Sequence, residues 1–348
     1  MVERTHGNLL DAKVDALVNT VNTVGVMGKG IALQFKRAFP ENFREYEAAC
    51  KAGRVKVGKV LIHDLGGLVR PQFIINFPTK EHWRAKSKIE FIEAGLEDLV
   101  EQVRRLRIRS IALPPLGCGN GGLNWDEVYV LIEKAFMQVP DVSVYVYEPK
   151  GAPEAASMPN RTKRPTMTAG RAAMIALMRR YIEQGLDFFQ ISLLEIQKLA
   201  YFLQESGHPL KLNYRAWYYG PYADNLRHVL SHIEGHFIDG YGDGQNKPDT
   251  PLTVRADAST EAEVLVRADA SLVEHLERVE RLIDGYSTPF GMELLGTVHW
   301  VATHDLKGET SPDLIVESIR RWSARKAAKM TPDLVAKAHQ RLREQNWL

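Results

Sequence analysis

The stretch "VDALVNTVNTVGVMGKGIALQF", residues 14–35, decides the fold. Its first half is β-branched and almost continuously apolar, the pattern of a strand covered on both faces. Its second half passes through Gly25, Gly28 and Gly30, then resumes with Ile31, Ala32 and Leu33 as a helix would. A strand that empties through glycines into a helix is the unit from which α/β sheets build ligand sites. Glycine lets the backbone take φ > 0 and approach a ligand with no Cβ in the way. The N–H groups that open the following helix then favour an anion, typically phosphate.

The same design recurs at "PPLGCGNGGLNW" (114–125), where the strand candidate "RSIALPP" (109–115) leads through Gly117, Gly119, Gly121 and Gly122. Asn124 is an N-cap candidate for a helix from Trp125 to Met137, with Asp126 and Glu127 in its first turn. Further strand candidates are "KVLIHDL" (59–65), "QFIINF" (72–77, stopped by Pro78) and "VSVYVY" (142–147). Between them Ile89, Ile92, Leu96, Leu99, Val103 and Leu106 advance by three or four, one face of a helix over 86–107. The pattern predicts an α/β fold with a mostly parallel sheet over residues 1–150, and a ligand held by two glycine loops. The loops exclude two familiar phosphate folds. "GVMGKGIA" ends Gly-Lys-Gly, not the Gly-Lys-Ser/Thr of a Walker A loop, and Leu33 stands where a dinucleotide fingerprint needs its third glycine. A nucleotide diphosphate clasped between the loops without metal fits better.

The remaining sequence reads as a linker and a second domain. The 348 residues exceed what a single core usually holds. "EPKGAPEAASMPNRTKRPTMT" (148–168) has four prolines and no apolar periodicity, which places a linker over 151–167. Residues 168–348 then read as mainly helical, over roughly 169–184, 192–206, 222–234, 271–285, 290–303, 311–328 and 331–345. A Gly-rich loop is expected over 235–250. The near-repeat "VRADAS" at 254–259 and 266–271 reads as accident rather than function. Up to residue 150 there are 21 Lys+Arg against 18 Asp+Glu, net +3, and beyond it 24 against 25, net −1. Neither part is polybasic, so any nucleic-acid contact must come from a local patch. The absence of a long apolar run predicts no membrane span. Charges at the N-terminus argue against a signal peptide. Two cysteines, Cys50 and Cys118, suggest a reducing cytoplasm rather than a disulfide framework.

"VDALVNTVNTVGVMGKGIALQF", with "PPLGCGNGGLNW", strongly resembles a macrodomain, the ADP-ribose-binding α/β fold, across essentially all of residues 1–148. The "GVMGKGIA" wording resembles the branch represented by the DarG antitoxins, which remove ADP-ribose in DarT–DarG toxin–antitoxin pairs. The resemblance implies that the loops embrace the diphosphate and distal ribose. It assigns the ligand to Gly25, Val26, Met27, Gly28, Gly30, Ile31, Leu116, Gly117, Cys118, Gly119, Asn120, Gly121 and Gly122, with Thr79 alongside. It also places Asn8 and Leu9 near the adenine, Asn8 standing where many macrodomains carry Asp, and directs Asn22 at the distal ribose.

The chemistry then falls to "NFPTKEHWRAKSK" (76–88). Glycosidic cleavage usually relies on carboxylates, and neither glycine loop holds one. A desolvated lysine offers another route, because a neutral amine can attack the anomeric carbon and form an adduct that water releases. Burial and neighbouring cations such as Arg84, Lys86 and Lys88 favour the neutral form. Lys80 matches the nucleophile of lysine-dependent macrodomains, and Asn22 joins it as the expected catalytic pair. The aspartate that related eukaryotic enzymes carry in the second loop is Gly121 here; Asn22, Glu81 and His82 are the substitutes available. Cys118 has no base partner and reads as a packing residue. Trp83 beside Arg84, Lys86 and Lys88 combines a stacking surface with phosphate-pairing charge, the recipe for single-stranded nucleic acid. With the resemblance, this implies removal of ADP-ribose from thymine in single-stranded DNA, with no metal or other cofactor.

In the second domain "QKLAYFLQ…AWYYGPY" (within 195–222) resembles SocA-like or Panacea antitoxin domains. That implies contact with, and neutralisation of, a cognate DarT-like ADP-ribosyltransferase. The basic run 319–329 reads as a solvated helix face. Two other readings stand beside the leading one. One is a non-catalytic ADP-ribose-binding antitoxin, which Gly121 favours. The other is a hydrolase of ADP-ribosylated protein side chains.

Overall fold

Apolar residues at successive positions of a strand need cover on both faces, and Ala16, Leu17 and Val18 are fully buried. The computed structural model that shows this describes residues 1–67, 69–149, 151–184, 190–307 and 311–348. Two units divide the chain: Met1–Lys163 with Gly242–Gln245, and Arg164–Tyr241 with Asn246–Leu348.

In the first unit β1 (Val2–Thr5), β2 (Ala16–Asn22), β3 (Leu61–Asp64), β4 (Phe73–Lys80), β5 (Ser110–Leu113) and β6 (Ser143–Tyr147) form one sheet, ordered β1-β6-β5-β2-β4-β3. All neighbours are parallel except β3, an antiparallel edge on β4. The helices are α1 (Gly30–Ala38), α2 (Pro40–Lys51), α3 (Ile89–Arg105) and α4 (Trp125–Phe136). Side chains alternate across the pleat. Val18, Ile75 and Ile111 pack with Ile92, Leu96 and Leu99 of α3 and Ile132 of α4, while Leu17, Ile74 and Ala112 pack with Phe35 and Phe39 on the other face. The fold is the macrodomain's mixed, mostly parallel sheet between helices.

Polar pairing fixes the centre of this sheet. Asn19 and Asn76 face each other across β2 and β4, and both are fully buried. Asn19 Nδ2 donates to Asn76 Oδ1 (3.0 Å), and Asn76 Nδ2 donates to Asn42 Oδ1 (2.7 Å). A register slip would strand these amides without partners, at about 1–3 kcal/mol each.

Pro78 does not stop β4, as the sequence suggested. The strand runs on to Lys80 because its pairing with β3 ends at Asn76, so proline enters where one edge is already free. Beyond it the register with β2 shifts: Val21 faces Pro78, but Asn22 faces Lys80. This bulge leaves Thr79 as the extra residue and re-aims Lys80 toward the end of β2.

The second unit is mainly helical: α5 (Ala169–Gln184), α6 (Leu193–Glu205), α7 (Leu226–Ile233), α8 (Ala256–Arg267), α9 (Ala270–Ile283), α10 (Pro289–Trp300), α11 (Pro312–Trp322), α12 (Ala324–Lys329) and α13 (Pro332–Glu344). Every residue of α10 from Gly291 to Trp300 is buried, so it is the central helix. Ser192 and Glu195 form a capping box that starts α6. Three differences from the sequence expectation stand out. The helix expected over 311–328 breaks at Ser323, which caps α12. The aromatic corner "YRAWYYGPYA" is a two-stranded hairpin, Tyr214–Trp217 against Gly220–Ala223. The segment between the "VRADAS" copies is α8. The first copy spans its start, and Asp269 of the second caps α9 by accepting from Ser271 N and Leu272 N.

Candidate active site

Three parallel strands, β2, β4 and β5, end side by side, and each delivers one part of the site at its carboxyl end. From β2 comes the first glycine loop, from β4 the lysine segment, and from β5 the second glycine loop.

Asn22 folds the first loop. Its Oδ1 accepts from Val24 N (3.0 Å), Val26 N (3.3 Å) and the Tyr46 hydroxyl (3.2 Å), and its Nδ2 donates to Val26 O (2.6 Å). Tyr46, fully buried on α2, also donates to Asn22 O (2.6 Å). With these bonds Asn22 shapes the first loop. The loop turns at Gly25 (φ +80°) and enters α1 at Gly30 (φ +60°). Met27 is buried, while Val24 and Val26 are exposed at the rim. Gly30 N donates to Asp243 O of the same unit (2.9 Å), so that donor of the helix start is taken.

The second loop is tighter than a glycine pattern alone conveys. Gly117 (φ +71°) and Gly122 (φ +79°) occupy the left-handed region. Gly117 O accepts from Leu123 N (3.1 Å), and Gly121 O accepts from Ser87 N (3.1 Å). A Cβ built on Gly121 would lie 2.2 Å from both Gly117 O and Ser87 Oγ. The aspartate of the eukaryotic enzymes therefore has no room at this position. Gly119 is open, with nothing within 4 Å of a Cβ there. Cys118 Sγ donates to Leu116 O (3.4 Å), and burial pushes its thiol up to about 11, which suits a packing residue and not a thiolate. Asn124 caps α4 by accepting from Asp126 N (2.8 Å).

Lys80 is half-buried, and its Nζ donates to Asn120 O of the second loop (3.3 Å). Its pKa is lowered, first by loss of water and then by the charge of Lys86. Lys86 reaches over the second loop, its Nζ 3.1 Å from where a Cβ on Gly122 would stand. Arg84 and Lys88, also expected to bias Lys80, are engaged elsewhere. The Arg84 guanidinium lies 4.4 Å over the Trp83 ring, and Lys88 Nζ lies 5.4 Å over Phe91. Trp83 is exposed (42%), but it is not a bare stacking platform: Arg84 covers it, and His82 packs 5.3 Å away. Thr79 is buried with its hydroxyl toward Val21 O (3.5 Å).

The residues expected at the adenine end divide. Asn8 accepts from Leu10 N (3.1 Å) as a cap and donates to Ser157 O (3.2 Å), whereas the Leu9 side chain belongs to the core. Ile31 is half-buried at the edge of that core. Sequence reasoning missed Tyr46 and Ser87. Tyr46 lies outside the quoted stretches and Ser87 is an unremarked member of 76–88; the pairing of their backbone or hydroxyl with the glycine loops reveals them.

Comparison with known proteins matches this arrangement. Residues 18–132 match the Macro domain family model. The chain is 46% identical over 327 residues to a DNA ADP-ribosyl glycohydrolase of Thermus aquaticus, covering 94% of this chain and 89% of that protein. It is 44% identical over 353 residues to the DNA ADP-ribosyl glycohydrolase of Mycobacterium tuberculosis, covering 98% and 99%. A DNA ADP-ribosyl transferase–DNA ADP-ribosyl glycohydrolase fusion protein of Thermosipho africanus is 34% identical over 158 residues, covering 41% of this chain and 40% of the fusion. With two such relatives matched along nearly their whole length, the chain belongs to the DNA ADP-ribosyl glycohydrolase family.

Proposed function

We propose that the chain removes ADP-ribose from thymidine in single-stranded DNA, with Lys80 as nucleophile, and that its helical unit binds and neutralises a partner ADP-ribosyltransferase. The observation that carries the first part is the bulge at Thr79. It sets Lys80 opposite Asn22, against the second glycine loop and with its amine shifted toward the neutral form. The neutral Nζ bonds to C1″ of the distal ribose as the bond from C1″ to the base breaks. The bonding pair leaves with the base, which takes up a proton. Water then adds to C1″ and returns the amine, releasing ADP-ribose. Lys86 favours this route by opposing the charge on Lys80. The exposed Trp83–Arg84 pair offers a cation and an aromatic edge to a strand of DNA beside the site.

For the second part, the support is the name of the fusion relative, which joins a transferase to a glycohydrolase, and the hairpin tip of the helical unit. There Trp217 and Tyr218 are half exposed, with Arg215 4.2 Å over Trp217. Aromatic residues backed by arginine are typical anchors of protein interfaces.

The test is release of ADP-ribose from an ADP-ribosylated thymidine oligonucleotide by the wild type and by Lys80→Ala. Wild-type release and its loss by at least about a thousandfold in the variant is the expected result, in line with removal of a covalent nucleophile. Undiminished release by Lys80→Ala excludes the lysine. Faster release from a modified protein would move the substrate from DNA to protein.

A further inference from the structure

Lys80 is secured on both sides by the exit of β2. Before it, the Thr79 hydroxyl points to Val21 O, and after it, Glu81 O accepts two hydrogen bonds from one residue, Thr23 N (3.1 Å) and Thr23 Oγ1 (2.8 Å). Thr23 follows Asn22, the residue that faces Lys80 across the bulge. A strand end that has left its regular register has no ladder to hold it, and here a threonine replaces the ladder. The two bonds fix the Glu81–His82 peptide, one residue beyond Lys80. The direction of the lysine stem is thereby set from the first glycine loop, while its tip is held at Asn120 O in the second.

We infer that Thr23 is a positioning residue for the reaction: its hydroxyl and N–H clamp the Glu81 carbonyl so that the Lys80 amine stays between the two glycine loops. Thr23 acts through the backbone and touches no reacting atom. The inference rests on Lys80 as nucleophile. Released from the clamp, the lysine segment 81–86, which is exposed throughout, is free to swing toward water. Two consequences follow. The distance of attack lengthens, and a misplacement on the order of 1 Å costs roughly a hundredfold in rate. The amine also regains water, which removes the larger cause of its lowered pKa.

The experiment uses the full chain with three substitutions: Thr23→Val, which keeps the N–H and the shape but loses the hydroxyl, Thr23→Ser, which keeps both donors, and Lys80→Ala. Single-turnover release from the ADP-ribosylated oligonucleotide is measured across pH, with affinity for free ADP-ribose alongside. Thr23→Val is expected to lower the rate roughly ten- to a hundredfold and to move the rising limb of its pH profile to higher pH. ADP-ribose affinity should stay within about threefold, and Thr23→Ser should restore the rate. A merely structural role would lower thermal stability and affinity together and leave the pH limb in place, and that outcome overturns the inference. So does an unaltered rate in Thr23→Val. If Thr23→Val does not fold, the same profile taken on Thr23→Ala decides, with Thr23→Ser as its reference. Lys80→Ala separates the two levels: if it retains activity, the nucleophile is wrong. If it is inactive while both hydroxyl-deleted variants are normal, only the clamp is wrong.

Discussion

Lys80 owes its lowered pKa to depth first and to charge second, since loss of water outweighs the neighbouring Lys86. The sign of the resulting pH dependence follows directly. On the proposed route the attacking form is the neutral amine, so the rate should rise with pH and level off above the Lys80 pKa, which lies below that of a free lysine. Lys86→Gln removes the smaller cause only. Its rising limb should therefore move part of the way to higher pH, with the plateau rate within about threefold of wild type. Single-turnover profiles from about pH 6 to pH 10 read this directly, and a limb that stays put or moves to lower pH contradicts the electrostatic link. Gly121 carries the other argument at this scale. From sequence it looked like a lost aspartate, but its surroundings exclude any Cβ. Gly121→Asp should thus not restore an acid. It should distort the loop at Ser87 and Gly117, costing about 1–3 kcal/mol by overpacking, and lower release from the oligonucleotide. Such steric facts depend on Ser87, thirty-four residues away in sequence, and no spacing within the loop announces them.

The sheet was legible in the sequence because its strands are apolar at consecutive positions and its two glycine loops end them in the same way. The helix α3 was legible for its regular apolar spacing, which the structure buries through Ile92, Leu96, Leu99 and Val103. Elements that depend on partners were not. β1 has exposed Glu3 and Arg4 at its centre and is a strand only because β6 pairs with it. α8 and the Tyr214–Ala223 hairpin have little local signal and are held by their packing. The sequence singled out Lys80, but the bulge that aims it was not legible, since proline ordinarily ends a strand. Within α3, Gly95 is a further case where packing outweighs propensity. A Cβ there would lie 2.3 Å from Phe77 Cζ. Replacing it with alanine gains about 1 kcal/mol of helix propensity and loses about 1–3 kcal/mol to overpacking against β4. Gly95→Ala should therefore lower the urea midpoint of the first unit. A higher midpoint would mean that Phe77 yields at little cost.

Each unit has its own hydrophobic core, and the glycine loops with Lys80 belong wholly to the first. The second unit rests on a buried ion cluster. Glu293 lies at 2% exposure on α10, its Oε1 accepting from Arg325 Nη1 (2.7 Å) and Lys326 Nζ (2.7 Å) and its Oε2 from Arg325 Nη2 (2.9 Å). Burial alone would raise the Glu293 carboxyl, but hydrogen bonds from Arg325 and the charge of Lys326 outweigh it and leave the pKa below its usual range. Lys326 is completely buried, and its other hydrogen bond goes to Thr297 Oγ1 (3.0 Å). Removing the carboxylate strands that ammonium in the interior, at about 3–5 kcal/mol, a large part of the roughly 5–15 kcal/mol a domain possesses. In Glu293→Ala the second unit should unfold at much lower temperature while the first keeps its transition, giving two separated steps in calorimetry. At a temperature between them, release of ADP-ribose from the oligonucleotide should persist within about twofold, whereas inhibition of the partner transferase by binding should be lost. Glycohydrolase activity that falls together with the first step would instead show that the chemistry of the first unit depends on the folded state of the second.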